Sequence, residues 1–499
     1  MATHDYVIAN QSGASFRTDL NNALAAIVSN NSNSSEPSTM YAYQWWADTS
    51  ANILKLRNSS NNAWISICNL DGTIIADRVV TASIADDAIT QALVANDAIG
   101  ADELASNAVV NASVASDAAI AGSKIAPDFG SQTITTTGTV DTPSIASGQL
   151  GNRNIVINGA MQIAQRGTSS TTSGMSTVDR FLMGFAGHDE ALTQAQVDVS
   201  SGTTPYTLGF RKALKITNGN QTSGFGSADY FQIQHKIEAQ DIAQSGWNYN
   251  SSSSFVTLSF WIKSSVAQNF YGYLKSQDGT FRRYVYETGS LTADTWTKIT
   301  KTIPGNSGIT FNNDNGEGLI LELIYFSGSD ETGSVSLNSW ATFNSSSRTP
   351  ANTSTWWTTN DSTLEITGVQ LEVSTLATNF EHKSFSQDLT LCKRYFQQYP
   401  ELPSDGFAAF GPVATVSTTQ AHFAPTIPTM RAAPTVSLSG NARLVFSSGI
   451  SVTSLQTFHT SASTLFLGVN VASGLTSGNA GTFGADNDST AKLTFSAEL

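Results

Sequence analysis

The segment Phe255-Val256-Thr257-Leu258-Ser259-Phe260-Trp261-Ile262-Lys263 reads as a half-buried β-strand. Val256, Leu258, Phe260 and Ile262 fall on one side, and Phe255, Thr257, Ser259, Trp261 and Lys263 on the other, which is the period of two that a pleated strand imposes. The same alternation returns at Leu319, Leu321, Leu323 and Tyr325 against Ile320, Glu322, Ile324 and Phe326, and at Val369, Leu371 and Val373 against Gln370 and Glu372. Strands with one apolar face must cover it against a second sheet, so residues 151–383 are expected to form one large β-sandwich. Ser384 to Gln398 then reads as a helix, with Phe385, Leu389, Cys392 and Phe396 at helical spacing and Pro400 beyond its end, so the domain closes at 398. The remaining stretch, 399–499, shows strands at Ala442–Phe446, Leu465–Val471 and Lys492–Phe495, and is expected to be a C-terminal β tip packed on the preceding domain or on sister chains.

Composition agrees with a mainly β chain. Of the 499 residues 13% are charged and 40% hydrophobic. That charge fraction is about half the soluble norm, and Ser, Thr, Asn and Gly fill the gap. The net charge of −14 repels phosphate backbones and anionic lipid, so neither nucleic acid nor a membrane surface is an expected partner. Cys68 and Cys392 fall in different predicted domains and read as free thiols. The N-terminal residues lack a secretion signal, and no run reaches the roughly 18 apolar residues of a membrane span. Synthesis and retention in the cytoplasm until assembly are therefore expected.

Between residues 76 and 127 the pattern changes. An aliphatic residue recurs at every fifth position (Val79, Ile84, Ile89, Val94, Ile99, Leu104, Val109, Val114), and Ile84-Ala-Asp-Asp-Ala-Ile89, Val94-Ala-Asn-Asp-Ala-Ile99 and Leu104-Ala-Ser-Asn-Ala-Val109 start ten residues apart. A five-residue step turns an α-helix by about 500°, which leaves no common stripe, and it flips a strand's side chain to the other face. Each decapeptide must therefore break its own regularity and repeat. A thin rod cannot cover its own pillars, so the pattern predicts a shaft wound from several copies of the chain. The competing reading is a disordered Ala/Ser/Asp linker. Residues 128–150 form a neck before the sandwich.

At the N-terminus, residues 1–75 predict one helix over 12–29 and three short strands, Tyr41–Ala47, Ile53–Arg57 and Ala63–Ile67. Phe16, Leu20, Leu24 and Ile27 share a helix face with nothing upstream to cover it, and are expected to be the apolar docking face of an anchoring module.

The run Met40-Tyr41-Ala42-Tyr43-Gln44-Trp45-Trp46-Ala47-Asp48-Thr49, with Ile53-Leu54-Lys55-Leu56-Arg57-Asn58 and Asn62-Ala63-Trp64-Ile65, resembles the N-terminal module of tail-fibre proteins of tailed bacteriophages, especially short-tailed phages of marine cyanobacteria. The repeat and its exit, Ala121-Gly122-Ser123-Lys124-Ile125-Ala126-Pro127, resemble the neck segments of the same fibres. Asn154-Ile155-Val156-Ile157-Asn158-Gly159-Ala160-Met161, Ile366-Thr367-Gly368-Val369-Gln370-Leu371-Glu372 and Cys392-Lys393-Arg394-Tyr395-Phe396 are similar to a widespread phage-fibre β-domain. What the resemblance implies is an elongated fibre, a homotrimer, with distal jelly-roll-like sandwich domains of the carbohydrate-binding-module type. It also implies a place in the virion, tail adaptor or nozzle proteins as partners, and attachment to host surface polysaccharide or lipopolysaccharide.

No metalloprotease, P-loop, nucleophile-elbow or dinucleotide pattern occurs, so neither an enzyme nor a cofactor is expected. The alternative, a tailspike that degrades surface polysaccharide, needs paired carboxylates across a groove, and the nearest cluster, Asp189-Glu190 beside His188, reads as a solvated loop. Asp314-Asn315-Gly316-Glu317 and Asp486-Asn487-Asp488 lack the fixed spacing of a calcium loop and read as turns, so no metal is expected. For glycan recognition the expected residues are Trp340, Trp356 and Trp357, set among Ser, Thr and Asn, with Trp247 and Tyr249 as a second candidate. Flat rings stack on the apolar side of a sugar while amides and hydroxyls bond its rim.

Overall fold

A computed structural model of the chain describes residues 3–75, 84–85, 94, 151–400 and 406–499. It divides into two compact units, Met1–Thr135 and Thr136–Leu499. Of the eight expected shaft pillars, Ile84 is exposed and Val94 half-buried, while Val79, Ile89, Ile99, Leu104, Val109 and Val114 lie outside the described residues, as does the neck.

In the first unit, α1 (Gly13–Val28) precedes an antiparallel meander of β1 (Trp45–Asp48), β2 (Ile53–Arg57) and β3 (Trp64–Asn69). The first strand is shorter than expected, because Tyr43 takes a positive φ of 66° that ends extended pairing before Trp45. The helix buries only its small residues Ala23 and Ala26, leaving Phe16, Leu20, Leu24 and Ile27 between 38% and 58% exposed.

The second unit begins with twelve strands: β4 (Ser169–Ser170), β5 (Phe181–Ala186), β6 (Thr193–Asp198), β7 (Lys212–Thr217), β8 (Tyr230–Glu238), β9 (Phe255–Ser264), β10 (Tyr271–Ser276), β11 (Arg282–Glu287), β12 (Thr297–Pro304), β13 (Glu317–Ser327), β14 (Trp340–Thr342) and β15 (Thr363–Glu372). They form two six-stranded antiparallel sheets, ordered β14-β11-β10-β13-β8-β5 and β12-β9-β15-β7-β6-β4. Val256, Leu258, Phe260 and Ile262 of β9 face Leu319, Leu321 and Leu323 of β13 across a single core, as alternation requires. Short helical turns α2 (Thr204–Thr207), α3 (Ala239–Ala243) and α4 (Thr355–Thr358) interrupt the strands.

Helix α5 (Phe385–Lys393) starts on Ser384, whose hydroxyl accepts from the Gln387 amide while the Gln387 side chain returns to the Ser384 amide. It is shorter than the sequence predicts. Residues from Phe396 onward are drawn into pairing, because β16 (Phe396–Tyr399) joins a three-stranded sheet with β24 (Lys492–Ser496), which also pairs with β19 (Thr435–Ser439). A closed barrel completes the unit: β17 (Ala409–Thr415), β18 (Gln420–Phe423), β20 (Ala442–Val445), β21 (Gly449–Thr460), β22 (Leu465–Val471) and β23 (Ala480–Ala485). Closure removes the open edges that a short strand set would otherwise expose.

The stretches expected as separate domains, 151–398 and 399–499, lie within this one unit. Ion pairs and hydrogen bonds join them. Arg180 and Arg166 both hold Glu498, and Arg431 donates to the Asn315 carbonyl at 2.6 Å. Within the first stretch, Arg394 grips the buried Glu238 through two bonds of 2.7 and 2.8 Å, and Tyr395 adds a third at 2.6 Å. Burial works against the charge on Glu238, but these donors outweigh it and hold the carboxyl below its ordinary value.

Candidate functional site

The expected stacking platform is inside the protein. Trp356 and Trp357 form the middle of α4, and neither has exposed surface. Trp356 packs 4.5 Å from the Phe231 ring and donates Nε1 to the Thr363 carbonyl; Trp357 stacks on Phe326 at 6.3 Å and donates to the Gly224 carbonyl. The polar neighbours that suggested an exposed loop are spent locally: the hydroxyls of Thr358 and Thr359 bond back to carbonyls of the turn. Trp247 is also buried, with its Nε1 donating to Ser254, and Tyr249 is half-buried edge-on to Phe311 at 4.7 Å. Trp340 is half-buried, tied to the Pro304 carbonyl at 2.6 Å and tilted against Tyr284. Trp247, Trp356 and Trp357 belong to the sandwich core, and Tyr249 and Trp340 pack against it.

The outer face of the first sheet is closed as well. Tyr273, Val285 and Tyr325 point away from the core, but Val335, Leu337 and Phe343 from the 329–348 segment cover them. That strap is fastened by Arg348, which pairs with Glu331 at 2.8 Å and donates to the Tyr325 hydroxyl at 2.6 Å. Beside it Glu322 is 1% exposed, with one oxygen accepting from Gln234 and the other without a partner. Burial pushes its carboxyl up to about 8.

The outer face of the second sheet is different. On β9, Trp261 occupies an outward slot opposite Lys298 of β12 and Thr367 of β15. Pairing between β15 and β9 slips between Thr367 and Gln370, where Gly368 takes a φ of +65°. A Cβ at Gly368 would stand 2.7 Å from the Phe210 ring, so the missing side chain is what seats that ring against the sheet. Phe210, Phe380 and His382 pack edge to face or tilted at 4.9–5.1 Å and build one wall. The result is a groove of about 240 Å³ over Trp261, rimmed by Lys298, Thr378 and Asn379.

The returning segment that forms this wall is held firmly. Glu372 is buried and accepts from the Thr378 amide at 2.8 Å and its hydroxyl at 2.6 Å, the Glu381 amide donates to Gln370, and Arg153 braces Thr378 at 2.7 Å. Such support presets the groove, so little ordering cost falls on binding. A half-buried indole open to the groove offers an apolar face, and the ammonium, hydroxyl and amide beside it offer hydrogen bonds. None of the groove's lining residues is a carboxylate.

A larger cavity of about 480 Å³, lined by Arg153, Gln240, Asp241, Lys383 and their neighbours, contains no aromatic ring. Asp189 accepts from the Ser223 amide and hydroxyl, which hold its carboxyl below the ordinary value, and Glu190 accepts from the Asn220 amide, so this acidic pair closes a turn. Asp488 is likewise engaged by the Asn441 and Thr490 amides. Among the described residues no cluster of metal-ligating side chains occurs. The sequence did contain the signal for Trp261, an aromatic in the outward phase of a clear strand. Phe210 and Phe380 carried none, being 170 residues apart.

No family model and no curated protein sequence matches the chain. Among solved structures it is similar to the enzymatically active domain of tailspike protein 4 of bacteriophage CBA120, at 10% identity over 44% of this chain and 21% of that chain, with a TM-score of 0.25. It is also similar to a putative sugar binding protein from Bacteroides thetaiotaomicron, at 11% identity over 44% of this chain and 100% of that chain, TM-score 0.24. A family 11 carbohydrate-binding module of a Clostridium thermocellum cellulosomal cellulase aligns at 13% identity over 43% of this chain and 98% of that one, TM-score 0.21. The chain thus spans about a fifth of the tailspike chain's length and nearly all of the two smaller proteins.

Proposed function

We propose that the chain is a bacteriophage tail-fibre protein that attaches the virion to host cell-surface glycan through the groove over Trp261. The observation that carries the glycan reading is a half-buried indole on the outer face of the second sheet, walled by Phe210, Phe380 and His382 and rimmed by Lys298, Thr378 and Asn379. A pyranose has one apolar C–H face and a ring of hydroxyls, and this floor and rim match both. The virion role is supported by the resemblance of the N-terminal, neck and sandwich segments to tail fibres and by the pentad pattern of residues 79–114.

In this reading residues 1–75 fasten the fibre to tail adaptor or nozzle proteins through Phe16, Leu20, Leu24 and Ile27, residues 76–127 form a shaft, and three copies present three grooves. Weak contacts combine because linked sites see a high effective concentration. The tailspike alternative requires an acid and a second carboxylate flanking the scissile bond, and the groove contains neither.

Binding of the full-length chain to purified host envelope polysaccharide tests the glycan role. Trp261→Ala is expected to weaken it by about tenfold or more, the usual cost of truncating a central aromatic anchor. Unchanged affinity in that variant overturns the groove assignment, release of reducing ends favours the enzyme, and antibody labelling that finds no protein on the phage tail removes the fibre.

A further inference from the structure

The barrel carries a surface that the groove does not use. Strands β18, β21 and β22 contain no Asp, Glu, Lys or Arg along their whole length. No residue of β21 is fully buried: Ile450, Val452 and Leu455 lean on the barrel core, and most of its other residues are exposed. Register sets out the exposed face: Ser454 and Gln420 stand on either side of Asn470, and Gln456 and His422 on either side of Gly468.

Gly468 is the pivot of this face. A Cβ there would lie 2.9 Å from the Phe458 ring and 3.0 Å from the Gln420 amide, so its absence gives the ring a seat against the sheet. Phe458, 42% exposed, lies 5.4 Å from Phe466, 38% exposed, and both rings are braced edge-on by His422. Beside them runs a bonded row of amides: Gln420 donates to Gln456 at 3.1 Å and to Asn470 at 2.8 Å, and Asn470 donates to Ser454 at 3.1 Å. These bonds orient the side chains and leave the Gln456 amide hydrogens and the Gln420 carbonyl for an outside partner.

We propose that this face is a second carbohydrate-binding site, one that takes a neutral glycan. Two neighbouring exposed rings supply the surface on which sugar C–H faces stack, and the oriented amides supply donors and acceptors for hydroxyls. The lack of formal charge across three strands leaves nothing to pair with a phosphate, a uronate or a basic peptide. A sister chain is the poorer occupant, because a stable subunit interface buries on the order of 1,000 Å² or more around an apolar centre, whereas beyond the two rings this face is amide and hydroxyl. The site stands apart from the sandwich groove, and its failure leaves that reading intact.

The two sites have separate reporters, since every tryptophan precedes residue 358 and none lies in the barrel. Full-length protein carrying para-fluorophenylalanine in place of Phe458 is titrated with methyl β-glucoside, methyl β-galactoside and methyl α-mannoside, while fluorine NMR and indole fluorescence are recorded. At least one sugar is expected to shift the fluorine signal saturably. Phe466→Leu and Gln456→Ala, both at exposed positions, are expected to weaken that response by about threefold or more and to leave the indole response unchanged. No fluorine response to any of the three sugars overturns the proposal, whether or not the indoles respond. So does a response that both variants leave intact, and so does a fall in assembly mass on Phe466→Leu, which would make the face a subunit contact.

Discussion

The two outer faces of the sandwich carry similar residues and have opposite fates. The first sheet presents Tyr273, Tyr325, Lys275 and Glu322, and the chain's own 329–348 strap covers its tyrosines. The second presents Trp261, Lys298 and Ser259, and the returning segment 378–382 walls the groove beside Trp261, leaving the indole half-buried and open to the groove. Aromatic and polar residues together therefore do not make a site. A face becomes one when the segments crossing it are anchored beside it and not over it, as Glu372 and Gln370 anchor Thr378 and Glu381.

Both faces rest on one core, so the largest effect comes from beneath them. Trp356→Ala is expected to cost about 4 kcal/mol in denaturant unfolding, the cost typical of removing a fully buried aromatic. A loss under about 1 kcal/mol would mean that the indole is not packed as the structure places it.

The closed face is tested by Glu322→Gln. Glu322 keeps its proton up to about pH 8 in the folded chain, whereas the unfolded chain releases it near the ordinary value of 4.5. Between those limits the native state binds more protons than the unfolded state, so this group makes stability fall as pH rises through the window. Glutamine removes that cost. Stability near neutral pH is expected to rise by up to about 3 kcal/mol, and the downward slope to flatten. A variant less stable than the parent across the whole window would show that the face is open to water.

On the open face, Gly368→Ala places a Cβ against the Phe210 ring at a positive φ and is expected to cost about 1–2 kcal/mol while shifting the groove wall. Glycan affinity measured on the same variant links wall to floor. A smaller stability loss than at Trp356 is expected for Trp261→Ala, because the Trp261 ring is only partly buried, despite its large effect on binding. Comparable losses at Trp261 and Trp356 would erase the distinction between core ring and surface ring.

Much of this was legible in the chain. The period-two runs at 256–262 and 369–373 located two central strands, and Ser384 with Gln387 marked where α5 begins. The run at 319–325 holds only to Leu323, because a register shift between Glu322 and Ile324 turns Tyr325 outward and puts Ile324 and Phe326 in the core. The end of α5 was not legible, because Phe396 and Tyr395 suit helix or strand, and pairing with β24, almost a hundred residues later, decided the matter. Trp356 and Trp357 misled for a similar reason. Ser and Thr beside them read as solvent-facing, yet their hydroxyls bond the backbone of one helical turn and let both indoles point inward.

The sequence by itself determined that this is a mainly β protein with a sandwich at its centre, since alternation is a local property that each strand states within a few residues. Only the tertiary structure decided which outward aromatics remain in contact with water. That depends on where distant segments return, and the groove joins Phe210, Trp261 and Phe380 from three separate parts of the chain. No local pattern encodes such a meeting, because long-range packing and not residue type fixes what is left uncovered.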